Sequence, residues 1–159
     1  MADYIWQLGI DWNAIQTGGV GYLRGGLLKQ VNGGPDVPMA GTNPVQTGDR
    51  ITFRIFDVSS SVQNRQVATI GSFGIDSQVA VTGQQLDHPL SNPQPTIGLP
   101  NQSAQSSLFG PAYCSWDSEL VTVVTSGRFL LTVYLQATGL DGVVRLFNHD
   151  PEMVVGPNG

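Results

Sequence analysis

Residues 128–147 read RFLLTVYLQATGLDGVVRLF, and this stretch decides the fold class. Two segments rich in Val and Leu, 128–137 and 143–147, flank the turn sequence Gly139-Leu140-Asp141-Gly142. Apolar runs bounded by Gly and Asp are typical of strands that are joined by a turn. The stretch therefore predicts two strands connected at residues 139–142.

The segments on either side extend this pattern. Residues 119–125 predict a preceding strand, and Ser126-Gly127 is short enough to close a two-residue hairpin between it and residue 128. Residues 153–155 predict a last short strand after the break at Asp150-Pro151. The C-terminal third is therefore predicted to consist of strands and tight turns.

The N-terminal half contains further strand patterns. In residues 50–58, Ile51, Phe53 and Ile55 share one face with Asp57, which is the pattern of a half-buried antiparallel strand. Residues 4–10 alternate in the same way. The short apolar runs at 20–23 and 27–31, with dense glycine around them, predict hairpin-like strands with bends. Weaker strand candidates are 67–70 and 79–82, separated by a turn at Gly71-Ser72.

Two polar connections, 32–48 and 83–118, interrupt the strands. The second is rich in Pro, Gln and Ser, and a connection of this length is usually functional or mobile in a compact domain. It is interpreted either as a crossover packed by its own Leu and Phe residues or as a lid or exchanged arm. The whole pattern predicts one all-β domain over 1–159, a jelly-roll-like antiparallel β-sandwich of about eight or nine strands.

The charge balance excludes several classes of partner. Only 12% of the residues are charged, and seven basic residues against twelve acidic ones give a net charge of −5. Lys29 is the single lysine and the six arginines are scattered, so binding to nucleic acid or to an anionic membrane surface is not expected. Because surface lysines oppose association of β-proteins, their scarcity predicts a homo-oligomer.

Cysteine content and the N-terminal residues bear on the compartment. Cys114 is the single cysteine, so no internal disulfide can form. The first residues show no signal-peptide pattern, and no apolar run approaches the roughly 20 residues of a membrane span. We expect a cytoplasmic protein, or one that is released or exported without a cleavable signal peptide, and no membrane insertion.

Few residues are suited to catalysis. The chain has two histidines, His88 and His149, and it lacks a G-x-S-x-G elbow and a G-x-x-x-x-G-K-[ST] phosphate loop. A non-enzyme is therefore favoured. The alternative is a metal-dependent enzyme in which both histidines act with Asp87 or Asp150, since imidazole suits Zn, Ni or Cu.

A second metal hypothesis concerns the end of the strand at 143–147. If the chain stays extended, Asn148, Asp150 and Glu152 project from one face, and His149 points the other way. Oxygen ligands suit Ca²⁺, and the shell could be completed by a loop carboxylate from Asp76, Asp87 or Asp117. An Asx turn before Pro151 explains the same residues without a metal.

Aromatic residues beside polar ones suggest a sugar site. Aromatic rings can stack on sugars while neighbouring polar groups bind hydroxyls. The candidate ligand-binding residues are Asp11, Trp12, Asn13, Tyr113, Trp116 and Asp117. The alternative is that both tryptophans belong to the core.

The function predicted first is that of a non-catalytic binding or self-assembly protein with a charge-poor, amide-rich surface and a glycan or protein as a further ligand. The alternatives are a lectin, with or without calcium, and a metal-dependent enzyme that uses the two histidines.

Overall fold

The structure is a computed structural model, and it describes residues 1–15, 20–30, 37–38, 45–58, 65–78 and 87–157. These residues form an all-β, sandwich-like domain, as the sequence predicts, and they contain no helix that is long and apolar enough to cross a membrane. Among them are thirteen strands: β1 (Asp3–Ile15), β2 (Val20–Lys29), β3 (Val37–Pro38), β4 (Val45–Gln46), β5 (Arg50–Asp57), β6 (Val67–Gln78), β7 (Gln105–Ser107), β8 (Gly110–Ala112), β9 (Ser115–Asp117), β10 (Val121–Thr122), β11 (Gly127–Gly139), β12 (Val144–His149) and β13 (Glu152–Gly156).

Eleven of these strands form one large sheet. Its central order is β10-β5-β1-β2-β12-β11, and β6 pairs with the other edge of β11. β9 and β10 both pair with β5. β12 and β13 follow each other along the same edge of β11, since Val133 pairs with His149 and Leu130 with Glu152. Residues 144–156 therefore run as one extended stretch interrupted near Pro151.

The prediction of an antiparallel sandwich is wrong in one respect, because the sheet is mixed. β1 runs parallel to β5, β12 parallel to β2 and β13 parallel to β4. Each of these pairs joins strands that are not adjacent in the chain, so no turn sequence between the two strands indicates that they pair. Period-two alternation reports which face of a strand is buried, and it carries no information about strand direction.

The core lies between the two halves of the folded sheet. Alternate residues of β1, β5 and β11 are buried on its inner face. Phe53 on β5 stacks on Trp6 of β1 at a centroid distance of 5.5 Å and also meets Phe73 of β6 at 5.3 Å. Because β5 and β6 lie near opposite ends of the strand order, this contact shows that the sheet folds over on itself.

The first part of the long connection joins the two ends of the sheet. Ser91 N–H donates to the Thr122 carbonyl beside β5, and Ile75 N–H of β6 donates to the Pro93 carbonyl, both at 2.8 Å. Leu90, between these positions, forms a bridge with Val123 and is buried. Residues 90–93 thus link the β10 and β6 edges through backbone hydrogen bonds.

The later part of the connection is not structureless, because it contains β7, β8 and β9. β7 and β8 form a separate hairpin. At its turn, Leu108 and Phe109 lie over Gly26 and Gly9, where any side chain would occupy the same space. The Leu108 N–H also donates to Gln7 Oε1 at 2.9 Å, so this hairpin covers the outer face of β1 and β2.

The local predictions have mixed outcomes. The strand at 50–58 and the turn at 139–142 are confirmed, with Gly142 at a φ of +77° and the Gly139 N–H donating to the Val143 carbonyl. The hairpin at Ser126-Gly127 is wrong, because β10 pairs with β5 and not with β11.

Two weaker strand predictions fall on or beside β6. The turn predicted at Gly71-Ser72 is wrong, because β6 continues through it with a register shift opposite Gln136 and Ala137. The strand predicted at 79–82 lies outside the described residues.

Candidate functional site

The β11–β12 hairpin presents apolar side chains on its outer face. Val144 and Leu146 are 52% and 55% exposed, and they lie opposite Thr138 and Gln136 of β11. Phe147, which follows Leu146 in the chain, points to the other face and is buried. Apolar side chains therefore occupy both faces of β12, although only one face meets the core.

The turn of the hairpin adds two more exposed apolar side chains, Leu140 at 58% and Val143 at 46%. The turn is anchored to the body because the Leu140 N–H donates to the Gln66 carbonyl at 2.9 Å. Asp141 Oδ1 accepts the Val143 N–H at 3.0 Å, which fixes the turn from within. We call Leu140, Val144 and Leu146 the hairpin patch, and leave out Val143 because it lies opposite Gly139, on the face of the hairpin that carries Phe147.

β6 continues this outer surface with small uncharged residues. Ser72 lies opposite Gln136, and Thr69 lies opposite Thr138. The first outward carboxylate along β6 is that of Asp76, opposite Thr132. We call the outer surface formed by Thr69, Ser72, Gln136 and Thr138, together with the hairpin patch, the neutral face.

Arg145 lies within the hairpin and leaves the neutral face uncharged. Its guanidinium sits 4.3 Å from the centre of the Trp12 ring and donates to the Trp12 carbonyl at 2.5 Å. A cation above an aromatic ring is held by the ring quadrupole. The positive charge is therefore directed toward the core side of β12.

Three other arginines are paired with carboxylates outside the neutral face. Arg50 binds Asp3, and Arg54 binds Asp117, each through two contacts of 2.7 Å. The third pair joins Arg128 and Glu152 at 2.8 Å. The neighbouring carboxylates raise the pKa of Arg50 and of Arg128 through hydrogen bonding and charge attraction.

The two tryptophans of the predicted sugar site lie in the core. Trp12 is 3% exposed and packs against Phe147 at 5.9 Å, and Trp116 is 2% exposed. Neither ring is exposed for stacking on a sugar, so both tryptophans are core residues. The reason is that β1 continues to Ile15, so Trp12 falls on the same inward face as Trp6.

The remaining residues of that prediction are occupied locally and lie apart. Asp11 Oδ1 accepts the Asn13 N–H at 3.1 Å, and Asp117 is bound to Arg54. Tyr113 is half-buried beside the buried Cys114. β5 lies between β1 and β9, so the structure does not bring the Asp11–Asn13 and Tyr113–Asp117 groups together.

The predicted calcium ligands share a direction but no common centre. Asn148, Asp150 and Glu152 alternate with inward residues along the extended stretch, as the sequence predicts, and Glu152 is bound by Arg128. Asp76 is on β6, opposite Thr132 of β11, so β11 lies between Asp76 and this stretch. The described part of the chain contains no group of three or more His, Cys, Asp or Glu that could hold a metal ion.

The two histidines are also far apart in the fold. His88, next to the exposed Asp87, donates from Nε2 to the Ile75 carbonyl at 2.9 Å and accepts the Leu90 N–H on Nδ1 at 3.1 Å. These bonds assign it the neutral tautomer with the proton on Nε2. β6 and β11 separate this ring from His149 on β12.

His149 points inward over Gly25, where an added side chain would overlap the imidazole ring. Burial lowers the pKa of His149, and the nearby Asp150 carboxylate opposes this effect more weakly. The neutral imidazole is therefore the favoured form in the folded protein.

The sequence did not indicate the roles of two buried groups. Asp57 is fully buried and accepts the Gln66 and Val67 N–H groups at 2.6 Å and 2.9 Å. Cys114 Sγ lies 3.8 Å from Arg65, and burial raises the pKa of the thiol more than Arg65 lowers it. Cys114 is thus favoured as a protonated thiol.

The hairpin patch was also missed, although a signal was present. Within 143–147, the apolar residues Val144 and Leu146 alternate with Val143 and Phe147, so both faces of the predicted strand are apolar. A strand with one solvated face normally carries polar residues there.

Comparisons of the chain with protein-family models, curated proteins and solved structures found no match.

Proposed function

We propose that this is a non-catalytic β-sandwich protein that acts by binding or self-assembly through the neutral face. The observation that carries the proposal is the hairpin patch, three apolar side chains each 52% to 58% exposed on an anchored hairpin. An ordered β-hairpin holds these side chains without a loss of backbone entropy on binding. Exposed apolar clusters of this kind mark interaction sites.

The size of the patch sets the expected strength. Complete burial of a fully exposed Val or Leu side chain contributes about 1.5–3 kcal/mol, so a half-exposed one contributes about 1 kcal/mol. Three such residues contribute about 3 kcal/mol on each surface, against an association cost of about 4–15 kcal/mol. We therefore expect weak association that depends on protein concentration.

Charge distribution also supports the proposal. The protein carries one lysine, and three of its six arginines are bound to carboxylates outside the neutral face. Arg145 is directed at Trp12. A charge-poor surface of this kind lacks the charged residues with which β-proteins commonly oppose association.

The test is the mass of the native particle measured by size-exclusion chromatography with light scattering over a wide concentration range. We expect a mass that rises above the 16.9 kDa of one chain. The Leu146→Asp variant should remain at the mass of one chain, while Leu99→Asp, at a residue 92% exposed in the connection, should behave like the unchanged protein.

A particle that remains at 16.9 kDa at every concentration would remove self-assembly. Equal loss of association in both variants would move the interface away from the hairpin patch. Glycan binding that disappears on addition of EDTA would favour the calcium-assisted lectin instead.

A further inference from the structure

We infer that the β7–β8 hairpin is a detachable strap, which leaves the outer face of β1 and β2 while the sandwich stays folded and which is ordered only while it is docked there. The strap comprises residues 105–112. This inference does not depend on the proposed function, because the strap lies over β1 and β2, whereas the neutral face is formed by β6, β11 and β12.

The base of the strap is closed by the main fold. The Asn101 N–H donates to the Ser115 carbonyl at 2.7 Å, and the Ser115 N–H donates to the Asn101 carbonyl at 3.0 Å. Ser115 belongs to β9, which pairs with β5. The strap itself forms a two-stranded sheet that is separate from the large one. Its departure therefore leaves the strand pairings of the large sheet intact.

The two ends of the strap differ in burial, which fixes where it bends. Residues 101–104, which lead into β7, are all exposed. Ala112, at the end of β8, is fully buried. The strap therefore pivots about Ala112, and its turn at Leu108 and Phe109 moves furthest.

The turn is held down by few contacts. Leu108 lies over Gly26 and Phe109 over Gly9, and the Leu108 N–H donates to Gln7 Oε1 at 2.9 Å. Leu108 nevertheless remains 44% exposed. An isolated two-stranded hairpin is only marginally stable in water, so the strap is ordered by its docking. Segments with few buried contacts open far more readily than core strands.

Gln7 suits both positions of the strap. It is 7% exposed, and it follows the buried pair Ile5 and Leu28 on the outer face of β1 and β2. A position that is always covered is normally apolar, because burying an amide without a partner costs free energy. Gln7 Oε1 accepts the Leu108 N–H when the strap is docked and water when it is open, so it has a partner in either state.

Gly9→Val tests the strap, because the added side chain takes the place of the Phe109 ring. A Cβ at Gly9 would lie 2.7 Å from Phe109 Cδ2 and 3.2 Å from its Cγ. Gly71→Val is the matched control, at an exposed position of β6 where a Cβ would lie 3.6 Å from the nearest atom. Valine favours strands, so both variants should keep the sandwich, which melting curves check.

Hydrogen exchange and chymotrypsin cleavage follow the strap. In the unchanged protein, exchange at Leu108 and Phe109, relative to an unstructured peptide, should be at least about tenfold faster than at the Phe53 and Ser115 amides of the sandwich. Gly9→Val should raise exchange at Leu108 and Phe109, and cleavage after either residue, by about a further tenfold. Exchange at Phe53 and Ser115 should stay unchanged.

Equal protection of Leu108 and Ser115 in the unchanged protein would overturn the inference, because the strap would then open only when the sandwich unfolds. Cleavage of Gly9→Val no faster than that of Gly71→Val would also overturn it. If Gly9→Val unfolds as a whole, the exchange comparison in the unchanged protein decides by itself. None of these results changes the native mass, so the proposed function stands or falls separately.

Discussion

Replacing Gly139 with alanine tests whether Trp12 is a core residue. A Cβ at this position would lie 2.8 Å from Trp12 Cε2 and 2.5 Å from Asp141 Oδ1, whereas carbon atoms in contact normally stay about 3.5–4.0 Å apart. The indole cannot move away freely, because Arg145 and Phe147 pack against it.

The expected cost follows from this overlap. Forcing an extra carbon into a packed core destabilises a protein by about 1–3 kcal/mol. For a domain of this size, about 2 kcal/mol lowers the melting temperature by about 4–8 °C. The emission of Trp12 should change as well, because its ring is displaced from a buried position.

The assay is thermal unfolding followed by circular dichroism and tryptophan fluorescence, with Gly71→Ala as the matched control. A Cβ at Gly71 would lie 3.6 Å from the nearest atom, the Gln136 carbonyl oxygen, which is ordinary contact. The melting temperature of the control should be unchanged or slightly higher. Equal melting temperatures for the two variants would refute the packing of Trp12 against Gly139.

Three further predictions concern buried groups. Asp57→Ala should lower the free energy of unfolding by about 1–3 kcal/mol in urea titrations, because the part-buried amide of Gln66 and the buried amide of Val67 lose their acceptor. Asp76→Ala, at an exposed carboxylate, should change the free energy of unfolding by less than about 0.5 kcal/mol, and matching curves for the two variants would contradict the prediction. Burial lowers the pKa of His149, so the unfolded chain binds the proton first and stability should fall as the pH drops below about 6.5. His149→Gln should show a smaller loss between pH 6.5 and 5.5, and an unchanged loss would refute the assignment. Cys114 should react with a maleimide much more slowly in the folded protein than in urea, and equal rates would show that its thiol is accessible.

The sequence predicted the fold class because burial of one face of a strand produces a local pattern, an apolar residue at every second position. β5 shows its inward residues at every second position, and Gly142 supplies the positive φ that closes the β11–β12 turn. The parallel contact between β1 and β5 leaves no such trace. Its partners are brought together by the packing of the whole sheet, which a single strand does not encode.

The candidate site was harder to predict because it depended on where strands end. Trp12 follows Asp11 and precedes Asn13, which resembles a turn, yet β1 continues through all three. Alternation from Trp6 would have placed Trp12 inward had the longer strand been recognised. The exposure of Leu146 could not be predicted, because the sequence does not show which outer faces the chain itself covers.

The position of β12 between β2 and β11 determines when the sheet can be completed during synthesis. β2 leaves the ribosome early, but its partner at residues 146–148 is made only after β5, β6 and β11. Until then, a nascent chain presents an unpaired edge on β2, and such edges favour aggregation. The pairing of β2 with β12 therefore forms late. Folding is expected to be slow, because this pairing joins residues that are far apart in the chain.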